Sequence, residues 1–371
     1  MKQRPNLHFT PEKGWMNDPN GPVFYKGEYH LFFQHDPDSL VWDTMHWGHA
    51  KSKDLVHWEH LPIALFPDEQ GVIYSGCAFV DEDNITGWGT KEEPALLLFY
   101  TSHHMETRRE MQCLAYTTDC LHFTKYEGNP ILPGEDYTPA RDPLVFRNRI
   151  LGGFSMVITR EKEVEFYHSD NFLKWEKTGA FLLPKYALSG MIECPCMFET
   201  QDQDGVPKTI LMLSMDVPET EFGKFPEQAV AHARCMQYFT GRFDGRVFAV
   251  DQEQKEVLLV DYGTDFYAGT IFANVEDTIL IAWLGDFSEG ARRTPMEQEG
   301  FRGIQSYPRK LTLHKTADGY RLHHAFYPDP SAFEGELRYI RSGTEGKLSD
   351  GCVIEILREK GFLPVTCILT V

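Results

Sequence analysis

No apolar run in this 371-residue sequence is long enough to cross a membrane as a helix, which takes about 18 residues or more. The first residues, MKQRPNLHFTPEKG, also lack the apolar centre of a secretory signal peptide. We therefore expect a cytoplasmic protein without a membrane partner.

Positive charge is scarce. The chain has 36 Lys and Arg against 55 Asp and Glu, which gives a formal net charge of −19. Such an excess of negative charge repels the phosphates of nucleic acids and anionic lipids. We expect no nucleic-acid partner and favour a neutral small molecule.

The eight cysteines lack the regular spacing of a disulfide-stapled scaffold. Cys194 and Cys196 are the nearest pair, but no second pair follows to complete a tetrahedral zinc site. His46 and His49 in HWGH are a second metal candidate, although residues three apart on a strand point to opposite faces. We therefore predict reduced thiols, no metal and no cofactor.

Long amphipathic helical patterns are almost absent. Short segments rich in β-branched and aromatic residues recur instead, bounded by Gly, Pro, Asp or Asn, and each predicts a strand. They include GPVFYKGEYHLFFQH, ALLLFYTS, LVFRN, GGFSMVITR, EVEFYHS, TILMLSM and DTILIAWLG. The pattern predicts an all-β protein, either a sandwich, a barrel or a propeller.

A weak internal repeat distinguishes these architectures. Three segments align so that a hydroxyl residue ends a predicted strand and an aromatic residue follows six positions later. The paired positions are Ser52 with Trp58, Thr117 with Phe123, and Ser169 with Trp175. A looser fourth copy covers residues 236–251. Repeats of this length, with about four strands each, are typical of propeller blades; chance similarity between strand-turn-strand units is the alternative.

The repeat length predicts a five-bladed β-propeller over residues 1–316. A turn-rich linker is expected at 317–333, followed at 334–371 by a short β segment resembling a truncated sandwich. The chain is too short there for a complete sandwich domain, and association of copies into a homo-oligomer stays open.

The stretch GWMNDPNGP, residues 14–22, has two interpretations. Asn, Asp, Pro and Gly together favour a tight turn, with Pro19–Gly21 reversing the chain. However, Trp15 and Met16 are apolar where a solvated turn would be polar. The stretch is either a turn alone or a turn that presents Asp18 to a ligand.

Two further acids have unusual neighbours. Asp142 follows Arg141, whose guanidinium would hold the carboxylate ionised. Glu193 lies among Met191, Ile192 and Pro195, and apolar surroundings favour a protonated carboxyl. Ionised and protonated carboxyls together are the groups that hydrolyse glycosides. The alternative is that these are ordinary solvated acids, since the chain has 55 acidic residues.

A run rich in Trp and His at residues 38–60 could bind a sugar. Trp faces stack on the C–H faces of sugar rings while nearby polar groups fix the hydroxyls. Trp42 and Trp47 are candidates for such a platform, whereas the repeat position of Trp58 favours the core of a blade.

Several motifs follow one another along the chain: WMNDPNG, HLFFQHDP, VWDTMHWGHAKSKDLVHWEHLPIAL, YSG, RDP, EC, GTDFYAGTIF and FRGIQSYPRKLTL. Their order resembles that in glycoside hydrolase family 32, the family of invertases, inulinases, levanases and sucrose-6-phosphate hydrolases. The resemblance implies a five-bladed propeller that cleaves β-fructofuranosides with retention of configuration.

By this resemblance Asp18 would be the nucleophile, Asp142 the transition-state stabiliser and Glu193 the general acid and base. The Asp18 and Glu193 carboxyls would then lie about 5 to 5.5 Å apart. The resemblance also implies a set of substrate-binding residues: Asn17, Gln34, Trp42, Trp47, Ser75 and Arg141 in the fructose subsite, Tyr74 beside it, and Asp265 and Trp283 in later motifs.

We therefore expect a retaining β-fructofuranosidase that acts on sucrose, sucrose 6-phosphate or short fructo-oligosaccharides. A phosphorylated substrate would need a basic contact, for which Arg292 and Arg293 are candidates unless they are a solvated pair. Two alternatives are a fructosyltransferase that uses the same intermediate and a non-catalytic sugar-binding propeller.

Overall fold

The computed structural model describes residues 4–5, 7–218, 234–263, 265–285, 287, 298–329, 338–340, 353–358 and 366–370. Arg292 and Arg293 lie outside these residues. No helix in the described part of the chain is long and apolar enough to cross a membrane.

Five antiparallel sheets follow one another along the chain, which confirms the predicted all-β propeller. Blade 1 contains β1 (Gly14–Tyr25), β2 (Glu28–Asp36), β3 (His46–Ser52) and β4 (Trp58–Leu65). Blade 2 contains β5 (Val72–Asp81), β6 (Ala95–His103), β7 (Glu110–Thr117) and β8 (Thr124–Lys125). Blade 3 contains β9 (Arg141–Arg147), β10 (Phe154–Arg160), β11 (Glu163–Ser169) and β12 (Glu176–Leu182).

Blade 4 contains β13 (Met191–Gln201), β14 (Pro207–Asp216), β15 (Arg234–Phe243), β16 (Phe248–Val250) and β17 (Leu258–Leu259). Blade 5 is built from β18 (Phe266–Ile271), β19 (Ile279–Leu284), β21 (Arg309–Thr316) and β22 (Gly319–Phe326). The short β20 (Phe301–Arg302) instead joins blade 1. A separate three-stranded sheet is formed by β23 (Arg338–Ile340), β24 (Val353–Arg358) and β25 (Thr366–Thr370).

The repeated turn after the third strand of blades 1, 2 and 3 is confirmed. The hydroxyls of Ser52 and Thr117 accept hydrogen bonds from backbone N–H groups three residues later, at 2.9 and 3.0 Å. The residue in that position has a left-handed backbone in each turn: Leu55, Cys120 and Phe172 have φ of 67°, 59° and 65°. The aligned hydroxyl residues therefore mark one structural unit used three times.

Apolar side chains fill the spaces between neighbouring blades. In β6, Leu96 and Leu98 pack towards blade 1, while Leu97 and Phe99 pack towards blade 3. This is why ALLLFYTS reads as a continuous apolar run, since both faces of the strand are covered. Each such fully buried side chain contributes about 1.5–3 kcal/mol to folding.

The ring closes where the end of the propeller meets its beginning. Strand β20 pairs in parallel with β1, with Phe301 opposite Gly14. Farther along, the side-chain amide of Gln305 donates to the carbonyl of Asn17 at 2.6 Å. The first strands of all five blades (β1, β5, β9, β13 and β18) contact one another around the centre.

The predicted linker at 317–333 begins too early. Residues 319–326 form β22, which pairs with β21 from Thr316↔Gly319 to Arg309↔Phe326 and completes blade 5. The sequence ADG forms the tight turn of this hairpin, but its residues also favour the open loops of a linker, so the sequence alone does not distinguish the two.

Candidate active site

Asp18 lies within a continuous strand, so the predicted chain reversal at Pro19–Gly21 is wrong. Met16 pairs with His35 and Pro19 with Phe33, which leaves Asn17 and Asp18 together opposite a single residue, Gln34. Such a β-bulge bends a strand and redirects a side chain. The turn-forming residues of NDPNG therefore form an irregular, bulged strand, and the bulge directs the Asp18 side chain towards the centre of the ring.

Hydrogen-bond donors surround the Asp18 carboxyl. Asn17 Nδ2 donates to Oδ1 at 2.9 Å, Ser75 Oγ donates to Oδ2 at 2.7 Å, and the Cys194 thiol contacts Oδ2 at 3.5 Å. Burial raises the pKa of Asp18, and the nearby charge of Glu193 adds to this effect. The hydrogen bonds from Ser75 and Asn17 act in the opposite direction by favouring the carboxylate.

Asp142 and Cys194 share an uncommon backbone geometry. Their φ angles are 63° and 46°, in the left-handed region that non-glycine residues rarely occupy. The Cys194 N–H donates to Asp142 Oδ2 at 2.8 Å, and Asp142 N–H donates to Thr101 Oγ1 at 2.9 Å. Strain of this kind is found where the surrounding structure must hold a side chain in one orientation.

Arg141 does not hold Asp142 ionised as the sequence predicts. Its Nη1 donates to Glu193 Oε1 and its Nε to Glu110 Oε2, both at 2.9 Å. Burial raises the pKa of Asp142 to about 8, and the attraction of Arg141 is too weak to prevent this while Glu193 and Asp18 add negative charge nearby. Asp142 is therefore predominantly protonated at neutral pH.

This raised pKa has a consequence for stability. Between about pH 4 and pH 8, the folded protein holds a proton on Asp142 that the unfolded chain has released, given an ordinary pKa of 3.8. Since the folded state then binds more protons, the free energy of unfolding falls as pH rises through this window. Above pH 8 Asp142 is ionised in the folded protein, and the free-energy cost of burying its carboxylate is fully present.

The Asp142→Asn variant has no such proton to lose. We expect it to gain stability over the unmodified protein between pH 5 and pH 8.5, by about 1–3 kcal/mol at the upper end, because an amide is neutral throughout. Denaturant unfolding at the two pH values measures the difference. An equal gain in the free energy of unfolding at both pH values would contradict the raised pKa of Asp142.

Glu193 has a second partner that the sequence analysis missed. The hydroxyl of Tyr267 donates to Glu193 Oε2 at 2.7 Å. Tyr267 lies in the motif GTDFYAGTIF, of which only Asp265 was predicted to bind substrate. Asp265 precedes β18, is exposed and does not line the cavity around the three acids. The motif therefore contributes Tyr267 to the cavity, whereas Asp265 lies outside the cavity lining.

The three acids share one cavity of about 200 Å³ at the centre of the ring. This is below the roughly 300–1,000 Å³ of pockets for drug-sized ligands and suits one sugar ring. The lining residues are Asn17, Asp18, Gln34, Trp42, Tyr74, Ser75, Arg141, Asp142, Glu193, Tyr267 and Phe287. All but the last two were predicted from the sequence.

Two predicted aromatic residues support the cavity from behind. Trp47 is fully buried, and its indole N–H donates to the carbonyl of Tyr74 at 2.9 Å. Trp283 is 1% exposed and packs against Trp15 and Phe287, with ring centroids 5.9 and 5.0 Å away. Neither contributes to the cavity surface, because a tryptophan that fills a core and one that stacks on a sugar look alike in sequence.

A polar group at the cavity surface is available for a ligand. The side-chain N–H₂ of Gln34, which lines the cavity, makes no hydrogen bond to the described residues. Cys196, by contrast, is fully buried in the apolar core between blades 4 and 5 and does not line the cavity. No group of three or more His, Cys, Asp or Glu that could hold a metal is found in the described ranges.

Several known proteins are similar to this chain in sequence. A levanase from Bacillus subtilis is 40% identical over 324 residues, covering 86% of this chain and 46% of the relative. An invertase from Schizosaccharomyces pombe is 35% identical, covering 84% of this chain and 53% of the relative. The chain thus spans about half the length of these curated relatives.

Solved structures agree with the fold. The exo-inulinase from Aspergillus awamori superposes with a TM-score of 0.79 at 27% identity, covering 92% of this chain and 71% of that one. A fructofuranosidase from Schwanniomyces occidentalis complexed with fructose gives a TM-score of 0.78 at 31% identity, covering 89% and 64%. Residues 8–324 match the family model described as the N-terminal domain of glycosyl hydrolases family 32. The chain belongs to glycosyl hydrolases family 32.

Proposed function

We propose that this protein is a retaining β-fructofuranosidase that releases terminal β-D-fructofuranosyl residues from sucrose, sucrose 6-phosphate or short fructo-oligosaccharides. The observation that carries this proposal is the convergence of Asp18, Asp142 and Glu193, from three different blades, on one small cavity. The names of the relatives, a levanase and an invertase, support the fructoside class of substrate.

The reaction proceeds in two steps. In the first, an Asp18 oxygen attacks the anomeric carbon C2 of the fructosyl unit, while protonated Glu193 donates its proton to the glycosidic oxygen as the C2–O bond breaks. In the second, ionised Glu193 takes a proton from water, the water oxygen attacks C2, and the bond to Asp18 breaks. Two inversions at C2 give net retention.

The other cavity residues bind and orient the sugar. Protonated Asp142 can both donate to and accept from a fructose hydroxyl, and the free N–H₂ of Gln34 is a further donor. Trp42 and Tyr74, whose ring centroids lie 5.8 Å apart, present aromatic surface at the cavity wall. Holding the sugar in this way converts the attack into an intramolecular step.

The proposal is tested by incubating the protein separately with sucrose, sucrose 6-phosphate, kestose and inulin and measuring released fructose. Added methanol competes with water, and a retaining enzyme then gives methyl β-D-fructofuranoside, which NMR distinguishes from the α anomer. Binding of sugar without release, or formation of the α anomer, would contradict the proposal. Growth of longer oligosaccharides at the expense of free fructose would indicate a transferase.

Ser75 should set the acidic limb of the pH profile. Its hydrogen bond favours the ionised form of Asp18, which is the form that attacks. We expect Ser75→Ala to move the acidic limb of kcat/KM for sucrose to higher pH by about one unit. Ser155→Ala, a buried serine of blade 3 bonded to Asn148, is the matched control. Equal profiles for both variants would show that Ser75 does not act on Asp18.

A further inference from the structure

Arg141 lies between two carboxyls, of which only one reaches the cavity. Its guanidinium donates to Glu193 on one side and to Glu110 on the other. Glu110 begins β7, its side chain is 2% exposed, and it does not line the cavity. Glu110 is therefore linked to Glu193 through Arg141.

Glu110 is fully engaged by donors. Its Oε2 accepts from the N–H of Ala140 at 2.8 Å and from Arg141 Nε, and its Oε1 contacts His103 Nδ1 at 3.2 Å. Burial opposes ionisation, but the hydrogen bond from His103 and the charge of Arg141 outweigh it and lower the pKa of Glu110. Since an ionised carboxylate only accepts hydrogen bonds, His103 Nδ1 carries a proton.

The same histidine packs against Tyr74, a residue of the cavity wall. The His103 ring stacks on that of Tyr74, with centroids 4.4 Å apart and an interplanar angle of 9°. One continuous series of contacts thus runs from Tyr74 through His103, Glu110 and Arg141 to Glu193. Its buried members leave the guanidinium with little freedom to move.

The position of Arg141 creates a conflict that Glu110 can resolve. A general acid must hold a proton until the leaving oxygen takes it, but a guanidinium at hydrogen-bond distance favours the ionised carboxylate. A second carboxylate that shares the guanidinium neutralises part of its charge.

The groups that face Glu193 are Asp18 of β1, Tyr74 of β5, Arg141 and Asp142 of β9, Cys194 of β13 and Tyr267 of β18.

We propose that Glu110 is a positioning residue for the general acid: it holds the Arg141 guanidinium against Glu193 and shares its charge, so that Glu193 keeps the proton it must deliver. This inference rests on the proposed glycosidase function. It adds a residue from outside the cavity to the group that controls proton transfer.

Glu110→Gln tests the proposal, because the amide has the same shape and its oxygen can still accept from Ala140 and Arg141. Without the negative charge of Glu110, the full positive charge of Arg141 acts on Glu193 and favours its ionised form. We expect kcat/KM for sucrose to fall about 10- to 100-fold and its alkaline limb to move to lower pH by about one unit. With p-nitrophenyl β-D-fructofuranoside, whose leaving group needs no proton, kcat/KM should stay within about threefold of the unmodified protein.

Glu165→Gln is the matched control. Glu165 is a buried glutamate on the third strand of blade 3, paired with Lys177 and Tyr167, and does not line the cavity. The Glu165→Gln variant should change the melting temperature without moving the pH profile of kcat/KM. Glu110→Asp keeps the charge and should leave the alkaline limb close to that of the unmodified protein.

Three results would overturn the inference: an unmoved alkaline limb in Glu110→Gln, equal losses with both substrates, or equal shifts in the Gln and Asp variants. If Glu110→Gln does not fold, His103→Lys provides the same test by placing a cation beside Glu110. The alkaline limb should again move to lower pH, and a limb that stays would contradict the charge sharing. An unmodified protein inactive on both substrates would instead contradict the proposed function itself.

Discussion

Asp18→Asn is expected to lose about 10⁵-fold in kcat/KM for sucrose, since no covalent intermediate can form without the carboxylate nucleophile. The amide has the shape of the carboxyl, and its oxygen can accept from Asn17 or Ser75 as Asp18 does now. Burial no longer opposes a charge at this position, so the melting temperature should be equal or higher. The release of fructose and the thermal unfolding curve measure both effects.

Asp202→Asn makes the same chemical change elsewhere. Asp202 is a buried aspartate in the turn between β13 and β14, where it accepts from the N–H groups of Asp204 and Val206. It should retain full activity. If folded Asp18→Asn kept a tenth of the original activity, Asp18 would not be the nucleophile.

Glu193→Gln should show a different pattern. Without a proton donor, kcat/KM for sucrose is expected to fall by about 10²- to 10⁴-fold, whereas attack by Asp18 on the p-nitrophenyl fructoside continues. The fructosyl-enzyme then accumulates because no base activates water. Azide, which needs no deprotonation, should restore turnover and release β-fructosyl azide.

Glu199→Gln is the control on the same strand. Glu199 is exposed and pairs with Arg149 outside the cavity, so its replacement should change neither rate nor azide response. Failure of azide to accelerate Glu193→Gln, together with equal losses on both substrates, would show that Glu193 is not the general acid and base.

The architecture was predictable because it repeats. The turn after the third strand has a hydroxyl residue, a residue with left-handed backbone and an aromatic residue at the same spacing in three blades, and each copy supports the assignment of the others. The strand β1 was less predictable. Residues NDPNG favour turns individually, but pairing with β2 and packing against β5 override that preference, and the segment forms a bulged strand.

The composition of the cavity was largely predictable, but its pairings were not. Arg141 was assigned to Asp142 because they are neighbours in sequence, whereas its partners come from β7 and β13. Contacts between blades have no local signal in a single sequence. Glu110 could not be found for this reason, since nothing in REMQCLAYT distinguishes it from a solvated acid.

The closure of the ring has a consequence for the order of synthesis. Asp18 leaves the ribosome long before Gln305, which holds the carbonyl of the neighbouring Asn17 and follows 288 residues after it. Blades fold as they emerge, starting from the N-terminus, yet β1 gains its partner β20 only when residues 301–302 are available. A nascent chain therefore carries its three acids long before it can hold the first of them in place.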